Sequence, residues 1–408
     1  RDIAEKKIVE WWNRPFFLDG EQLFRASIVE IDGKNAYLAL SAHHTIFDGY
    51  SIGLFSTEFI SESTKSGNQV IMNRDTHDSI QYGDYARWQN EKWLEDEVLN
   101  YHLEYWEKQL KHAPECIELP MDFKRPSTQS FRGDLVKSKL DASISNDVHI
   151  WSREHHVTEY MTLLSVFATL LFRVSGQKKV VIGVPITNRN RPELENVIGF
   201  LVNSLPVCIS FESLMSFEDV VEQVKTALFN AQTHQEVPLE KIVEVIRPSR
   251  DMSYNPLFQV MCADESLQLF EGINQDSEND LWMRSVIEEG TSVGVSRFDI
   301  SLMIQRVNEN IHLNLEYATD LFTKASANNF IGYFETLLQN ILSDSSIPVS
   351  LMPLQKESAV LESKTYSISE NYSTLLSNSI KFEGLKKVTF DKIFNIISNQ
   401  YPDRVAIV

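Results

Sequence analysis

His43-His44-Thr45-Ile46-Phe47-Asp48-Gly49 follows without a break on Ala36 to Ala42, in which apolar and polar residues alternate. Alternation at period two marks a half-buried strand, and Asp32-Gly33-Lys34-Asn35 is a turn signal joining it to a similar segment, Leu23 to Ile31. The histidine pair is therefore expected at a strand end, where rigid backbone holds a side chain against open space. An imidazole, with a pKa of about 6.5, is the side chain best suited to accept a proton at neutral pH. Asp48 lies four residues after His44, and Gly49 permits close backbone approach or a positive φ. A bare His-His pair is more often structural than chemical, and the chain carries its own control: His155-His156-Val157-Thr158-Glu159 has no Asp-Gly behind it and reads as ordinary surface.

Outward from this segment the pattern is mixed α/β. Leu99, Leu103, Trp106 and Leu110 recur at helical spacing, and Pro120 to Pro126 interrupts the pattern as a lobe boundary. A strand at Asp134 to Leu140, a buried helix at Glu159 to Phe172 and a strand at Lys179 to Ile186 follow. Phe217, Val220, Val221, Val224, Leu228 and Ala231 line one helix face, and Leu257 to Ala263 reads as a strand. Ile311, Leu313, Leu315 and Tyr317 alternate with polar residues, and Phe330, Phe334, Leu337, Leu338 and Ile341 form a late helix whose aromatic stripe is core by its spacing. The core is expected to end near Ser350. Glu357 to Ser379 has linker composition, and a fresh apolar pattern begins at Thr389.

A length of 408 residues exceeds what one core usually serves, so two lobes with a cleft between them are expected. With 57 acidic against 38 basic residues, the formal charge of −19 opposes a nucleic-acid backbone as partner. Cys116, Cys208 and Cys262 lack any metal or redox spacing, which fits reduced thiols and a cytoplasmic location. No apolar run reaches the roughly 20 residues of a membrane span; the nearest, Met161 to Phe172, is broken by Thr162, Ser165 and Thr169. A start at Arg1 without a signal pattern reads as a segment of a longer polypeptide.

The run His43 to Gly49 matches the His-His-x-x-x-Asp-Gly motif of nonribosomal peptide synthetase condensation domains, and further segments are similar to that family in the same order. They are Tyr82 to Gln89, Tyr105-Trp106, Leu119-Pro120, Arg125-Pro126, Ser130 to Gly133, Gly183 to Arg189 with Arg191 to Glu195, Ile198 to Pro206, His234 to Glu240, and Arg250 to Val260. The resemblance covers roughly residues 10 to 355, and an ordered set of this kind is highly specific. Phe390 to Val408 looks like the opening of an adenylation domain.

The resemblance implies an α/β fold of two chloramphenicol-acetyltransferase-like lobes, a V-shaped pseudo-dimer with the His motif where two tunnels meet. Residues 1–126 would be the N-terminal lobe, incomplete at its start, 127–356 the C-terminal lobe, 357–388 a linker, and 389–408 the beginning of the adenylation domain. Upstream donor and downstream acceptor peptidyl carrier domains would present substrates on 4'-phosphopantetheine; no bound cofactor, metal, nucleic acid or membrane is implied. His44 is the catalytic candidate. Asp48 is expected to pair with Arg189 and hold the loop, and His43 to pack. Gly49 is open to two readings, a backbone N–H toward the thioester oxygen or a turn requirement. Asn203 and Ser204 are candidates for lining the channel or for a strand-to-turn role, and Tyr82, Trp88 and Gln89 for building the fold. The rivals are a catalytically silent platform that binds carrier or tailoring proteins, a coenzyme A acetyltransferase and an epimerization domain. A heterocyclization domain, which replaces the first His with Asp, is opposed by His43.

Overall fold

The computed structural model describes residues 2–12, 14–32, 35–63, 80–93, 97–212, 214–265 and 294–355. The expected linker and the expected start of a further domain, 357–388 and 389–408, lie outside the described residues. Arg1–Leu354 forms one unit. In it, helix α1 (Asp2–Trp12) precedes an antiparallel pair, β1 (Phe24–Asp32) and β2 (Asn35–Ala42), the hairpin that the Asp32 to Asn35 turn signal predicts. Helices α2 (Gly49–Ser63), α3 (Tyr82–Trp88) and α4 (Glu97–Leu110) follow.

The larger part is a six-stranded mixed sheet in the order β3-β8-β7-β6-β4-β5. Its strands are β3 (Gly133–Lys139), β4 (Lys179–Ile186), β5 (Asn203–Ser210), β6 (Val260–Asp264), β7 (Ile300–Val307) and β8 (Asn310–Ala318). The β4–β6 and β6–β7 pairs are parallel and the others antiparallel. Residues 180–184 on interior β4 are buried throughout, as a strand covered on both faces requires, whereas β8 alternates between buried and half-buried positions. Pro206 cannot donate to a ladder, and it sits in β5 at the sheet edge.

Helices α5 (Ala142–Glu154), α6 (Glu159–Ser175), α7 (Phe217–Thr233), α8 (Leu239–Ile246) and α9 (Lys324–Ser343) complete the fold. The keystone is α6. Thr158 caps its start by accepting from Met161 N–H at 3.1 Å, and Gly176, at φ 69°, ends it in the left-handed conformation that glycine adopts without steric cost. Between these caps Leu163, Leu164, Phe167, Leu170 and Leu171 are almost fully enclosed. Each such side chain contributes about 1.5–3 kcal/mol, so this helix outweighs any surface ion pair in holding the fold. A capping box from Ser216 and Asp219 starts α7. Helix α4 buries Trp106 and Leu110 in this same core, and Trp106 Nε1 donates to His234 O at 3.2 Å.

Two stretches singled out in the sequence take definite places. The stretch Pro120 to Pro126 is tied into the larger core: Asp122 accepts from the Thr323 and Ser326 hydroxyls at the start of α9, and Arg125 forms an ion pair with buried Asp299. His155, expected as ordinary surface, is half-buried because Trp151, one helical turn earlier, offers a stacking face with ring centroids 3.8 Å apart.

Candidate functional site

The site forms where the end of β2 meets the β4–β5 connection, residues 187–202. His43 closes β2 by donating its N–H to Leu23 O at 2.8 Å, and its ring caps the 3₁₀ turn His44–Ile46. His43 Nδ1 accepts from Thr45 N–H at 3.2 Å and lies 2.8 Å from Thr45 Oγ1. Phe16 meets the ring edge-on at 6.0 Å. Hydrogen bonding and packing therefore occupy His43.

His44 is exposed, and its Nδ1 lies 3.0 Å from the carbonyl of Phe47. A carbonyl only accepts, so Nδ1 carries the proton and, in the neutral ring, Nε2 carries the lone pair. Nε2 has no partner among the described residues. This tautomer presents a proton acceptor to solvent on a backbone held at both ends.

Asp48 is buried and plays two roles with one carboxylate. As the residue before α2, it accepts from Ser51 N–H through Oδ1 at 2.8 Å, the N-cap bond that an Asp three residues before an amide makes. Arg189 then grips both oxygens, Nη1 to Oδ2 at 2.9 Å and Nη2 to Oδ1 at 3.2 Å. The amides of Leu201 and Val202 donate to Oδ2 at 3.0 and 3.2 Å. Burial pushes the Asp48 carboxyl up, but the hydrogen bonds from Arg189 and Ser51 outweigh it and hold the group below its ordinary range.

Arg189 also donates to Thr187 O at 3.2 Å, Val197 O at 3.1 Å and Ser51 Oγ at 3.2 Å, while its buried Nε–H has no partner among the described residues, and its guanidinium lies 4.4 Å from the Tyr50 ring centre. Ser51 Oγ also donates to Gly199 O and accepts from Gly199 N–H, each at 3.0 Å, which saturates the hydroxyl. Gly199 has no room for a side chain: a Cβ there would stand 2.3 Å from Tyr82 Cδ2. Tyr82 and Trp88 pack on a small core of Tyr85, Leu194, Val197 and Leu201, so the segment Tyr82 to Gln89 supports the connection that Arg189 and Asp48 fasten.

The structure thus brings His43, His44, Asp48, Gly49 and Arg189 together. Gly49 opens α2 and is not among the glycines with positive φ. Its N–H is one of the amides a helix start leaves unpaired, and it has no partner among the described residues. Asn203 stands apart: its amide donates to Gln235 O at 2.9 Å and Val237 O at 2.7 Å and accepts from Ser204 N–H at 2.9 Å, fastening the start of β5 to the segment before α8. Ser204 is half-buried on β5. Sequence reasoning gave no role to Ser51, Phe200 or the cation–π partner Tyr50. Ser51 had a signal, its i+3 spacing from a helix-capping Asp; Phe200 had none, because its contact with His44 spans 156 residues. Among the described residues no three His, Cys, Asp or Glu side chains converge to hold a metal ion, and no single helix is long and apolar enough to cross a membrane.

Known proteins resemble this chain in sequence and in fold. The condensation-domain family model matches residues 1–360. The chain is 32% identical over 419 residues to malpinin synthetase of Mortierella alpina, spanning 100% of this chain and 5% of that protein. It is 31% identical over 350 residues to bacitracin synthase 3 of Bacillus licheniformis, spanning 86% of this chain and 5% of that protein. Among solved structures, a holo four-domain nonribosomal peptide synthetase bound to AMP and glycine superposes with a TM-score of 0.74 at 24% identity, covering 88% of this chain and 27% of that one. The X-domain from teicoplanin biosynthesis, in its complex with OxyB, gives a TM-score of 0.72 at 21% identity, covering 87% and 78%. At these identities the structures speak for the fold alone, and it is the chloramphenicol-acetyltransferase-like fold of condensation domains. The chain spans about a twentieth of the length of these relatives, and with the family match over residues 1–360 and relatives above 30% identity along its length, it belongs to the condensation-domain family found in nonribosomal peptide synthetases.

Proposed function

We propose that this site forms an amide bond by attack of a downstream carrier-bound aminoacyl amine on an upstream carrier-bound acyl or peptidyl thioester, with His44 as the reacting side chain. The observation that carries this reading is the exposed His44 ring, whose Nδ1 is committed to Phe47 O, which leaves Nε2 as an acceptor without a partner among the described residues. The amine nitrogen attacks the thioester carbonyl and the C–N bond forms. Nε2 takes the proton from that nitrogen, the tetrahedral oxyanion collapses, and the C–S bond breaks. The departing thiolate then takes the proton from the imidazolium, which restores the site. The unpaired N–H of Gly49 is suited to steady the oxyanion.

Holding two tethered substrates in line supplies about 7–11 kcal/mol of such a barrier. His44 then adds about 10²–10⁴-fold. Asp48 and Arg189 touch neither substrate in this reading; they keep the motif and the β4–β5 connection in register. The wider assignment is of the same kind: substrates on carrier-borne phosphopantetheine, an adenylation domain opening at Phe390, and work in the cytoplasm. The rival is a non-condensing platform, and the X-domain, known in complex with OxyB, shares the fold. The intact His44, Gly49 and Asp48–Arg189 arrangement favours catalysis. Incubating loaded donor and acceptor carriers with the protein and measuring intact mass decides: a condensed product on the acceptor carrier is expected. Its absence with a folded protein selects the platform.

A further inference from the structure

We propose that Phe200 is a positioning residue for His44, and that the Asp48–Arg189 pair acts on the imidazole through it. This inference rests on the reading of His44 as the reacting side chain. The two rings meet at 87° with centroids 5.2 Å apart, within the edge-to-face range of aromatic pairs. Phe200 is 37% exposed, so its ring stands at the surface beside His44, while Gly199 before it and Leu201 after it are buried.

The backbone around Phe200 is held on both sides. Gly199 exchanges two hydrogen bonds with Ser51 Oγ and accepts a third from Asp48 N–H at 3.2 Å. Leu201 and Val202 donate to Asp48 Oδ2. The ring is thus delivered to His44 by the same carboxylate that Arg189 clamps.

His44 itself has one side-chain hydrogen bond among the described residues, to Phe47 O, and that bond is exposed to water. A single exposed hydrogen bond is a weak hold on a ring that can rotate about two torsions. Phe200 blocks one side of that rotation. It thereby keeps Nδ1 on the carbonyl, the proton on Nδ1, and the lone pair on Nε2.

The test reads the tautomer and the rate separately, on the whole chain. Nitrogen-15 NMR of labelled histidine, at a pH where the ring is neutral, is expected to find His44 protonated on Nδ1 in the wild type and as a mixture of tautomers in Phe200→Ala. Phe200→Tyr keeps the ring and is expected to keep the single tautomer. With carrier-loaded substrates, Phe200→Ala is expected to lower kcat about ten-fold, short of the 10²–10⁴-fold of a missing base, with KM for both carriers little changed. An unchanged thermal midpoint shows that the fold is intact. A kcat loss with the tautomer unchanged, a change in KM alone, or failure of Phe200→Tyr to restore the wild-type signature overturns the proposal. Should His44→Ala condense at the wild-type rate, the catalytic reading of His44 falls, while the NMR comparison still decides whether Phe200 holds the ring.

Discussion

Two adjacent histidine pairs end secondary-structure elements in this chain, His43-His44 after β2 and His155-His156 after α5. In each pair one imidazole places Nδ1 on a backbone carbonyl, His44 on Phe47 O at 3.0 Å and His155 on Trp151 O at 2.8 Å. The local hydrogen bond therefore does not distinguish them. His155 stacks flat on Trp151, and its Nε2 lies 3.8 Å from Glu218 Oε1, so its ring is engaged on a face and an edge. His44 keeps Nε2 for solvent, and four residues later a buried carboxylate ties its turn to a segment roughly 140–150 residues away through Arg189, Leu201 and Val202. What separates the two pairs is this long-range support.

The strongest way to break the comparison is to remove the support. Arg189→Ala leaves Asp48 buried and unpaired, at a cost of about 3–5 kcal/mol, and condensation falls with it. Urea unfolding at neutral pH alongside the carrier assay checks this. The same pair predicts an acid limb. Asp48 titrates lower in the folded chain than in the unfolded one, where a carboxyl of this type titrates at about 3.9, so its contribution to stability is complete above that value. It is lost as pH falls through the lower folded value, and Asp48→Asn should flatten the stability profile below about pH 4.

Next comes His44→Ala, expected to slow condensation by about 10²–10⁴-fold while leaving the thermal midpoint unchanged, because the ring is exposed. Full activity in this variant would sink the catalytic assignment. Gly199→Ala is smaller again: its Cβ must displace the Tyr82 ring, for about 1–3 kcal/mol, and unlike His44→Ala it should lower stability and rate together. The smallest effect sharpens the contrast from the other side. His155→Ala forfeits an aromatic stack worth about 0.5–1.5 kcal/mol and should leave condensation untouched. A loss of rate there would mean that the second pair is not merely structural.

Much of this was legible in the chain. The hairpin into His43, the buried helix α6, the alternating strand β8 and the late helix α9 are local patterns, and period alone reveals them because side-chain direction repeats with backbone geometry. The half-burial of His155 was missed because it depends on one neighbour a helical turn away. Helices α5 and α8 and strand β7 went unread for a related reason: their periods are short or diluted by polar residues, and packing against the sheet stabilises them.

By itself, then, the sequence determined the elements, the order of the motifs and the residues able to hold or move a proton, since these follow from side-chain chemistry and periodicity. Tertiary structure decided how they are used. It alone closes the Arg189 clamp on Asp48, spends the Asn203 amide on the backbone of the segment before α8, and sets Phe200 against His44. The physical reason is the same in each case: a hydrogen bond or ring contact depends on positions in space, and these join residues more than thirty places apart in the chain.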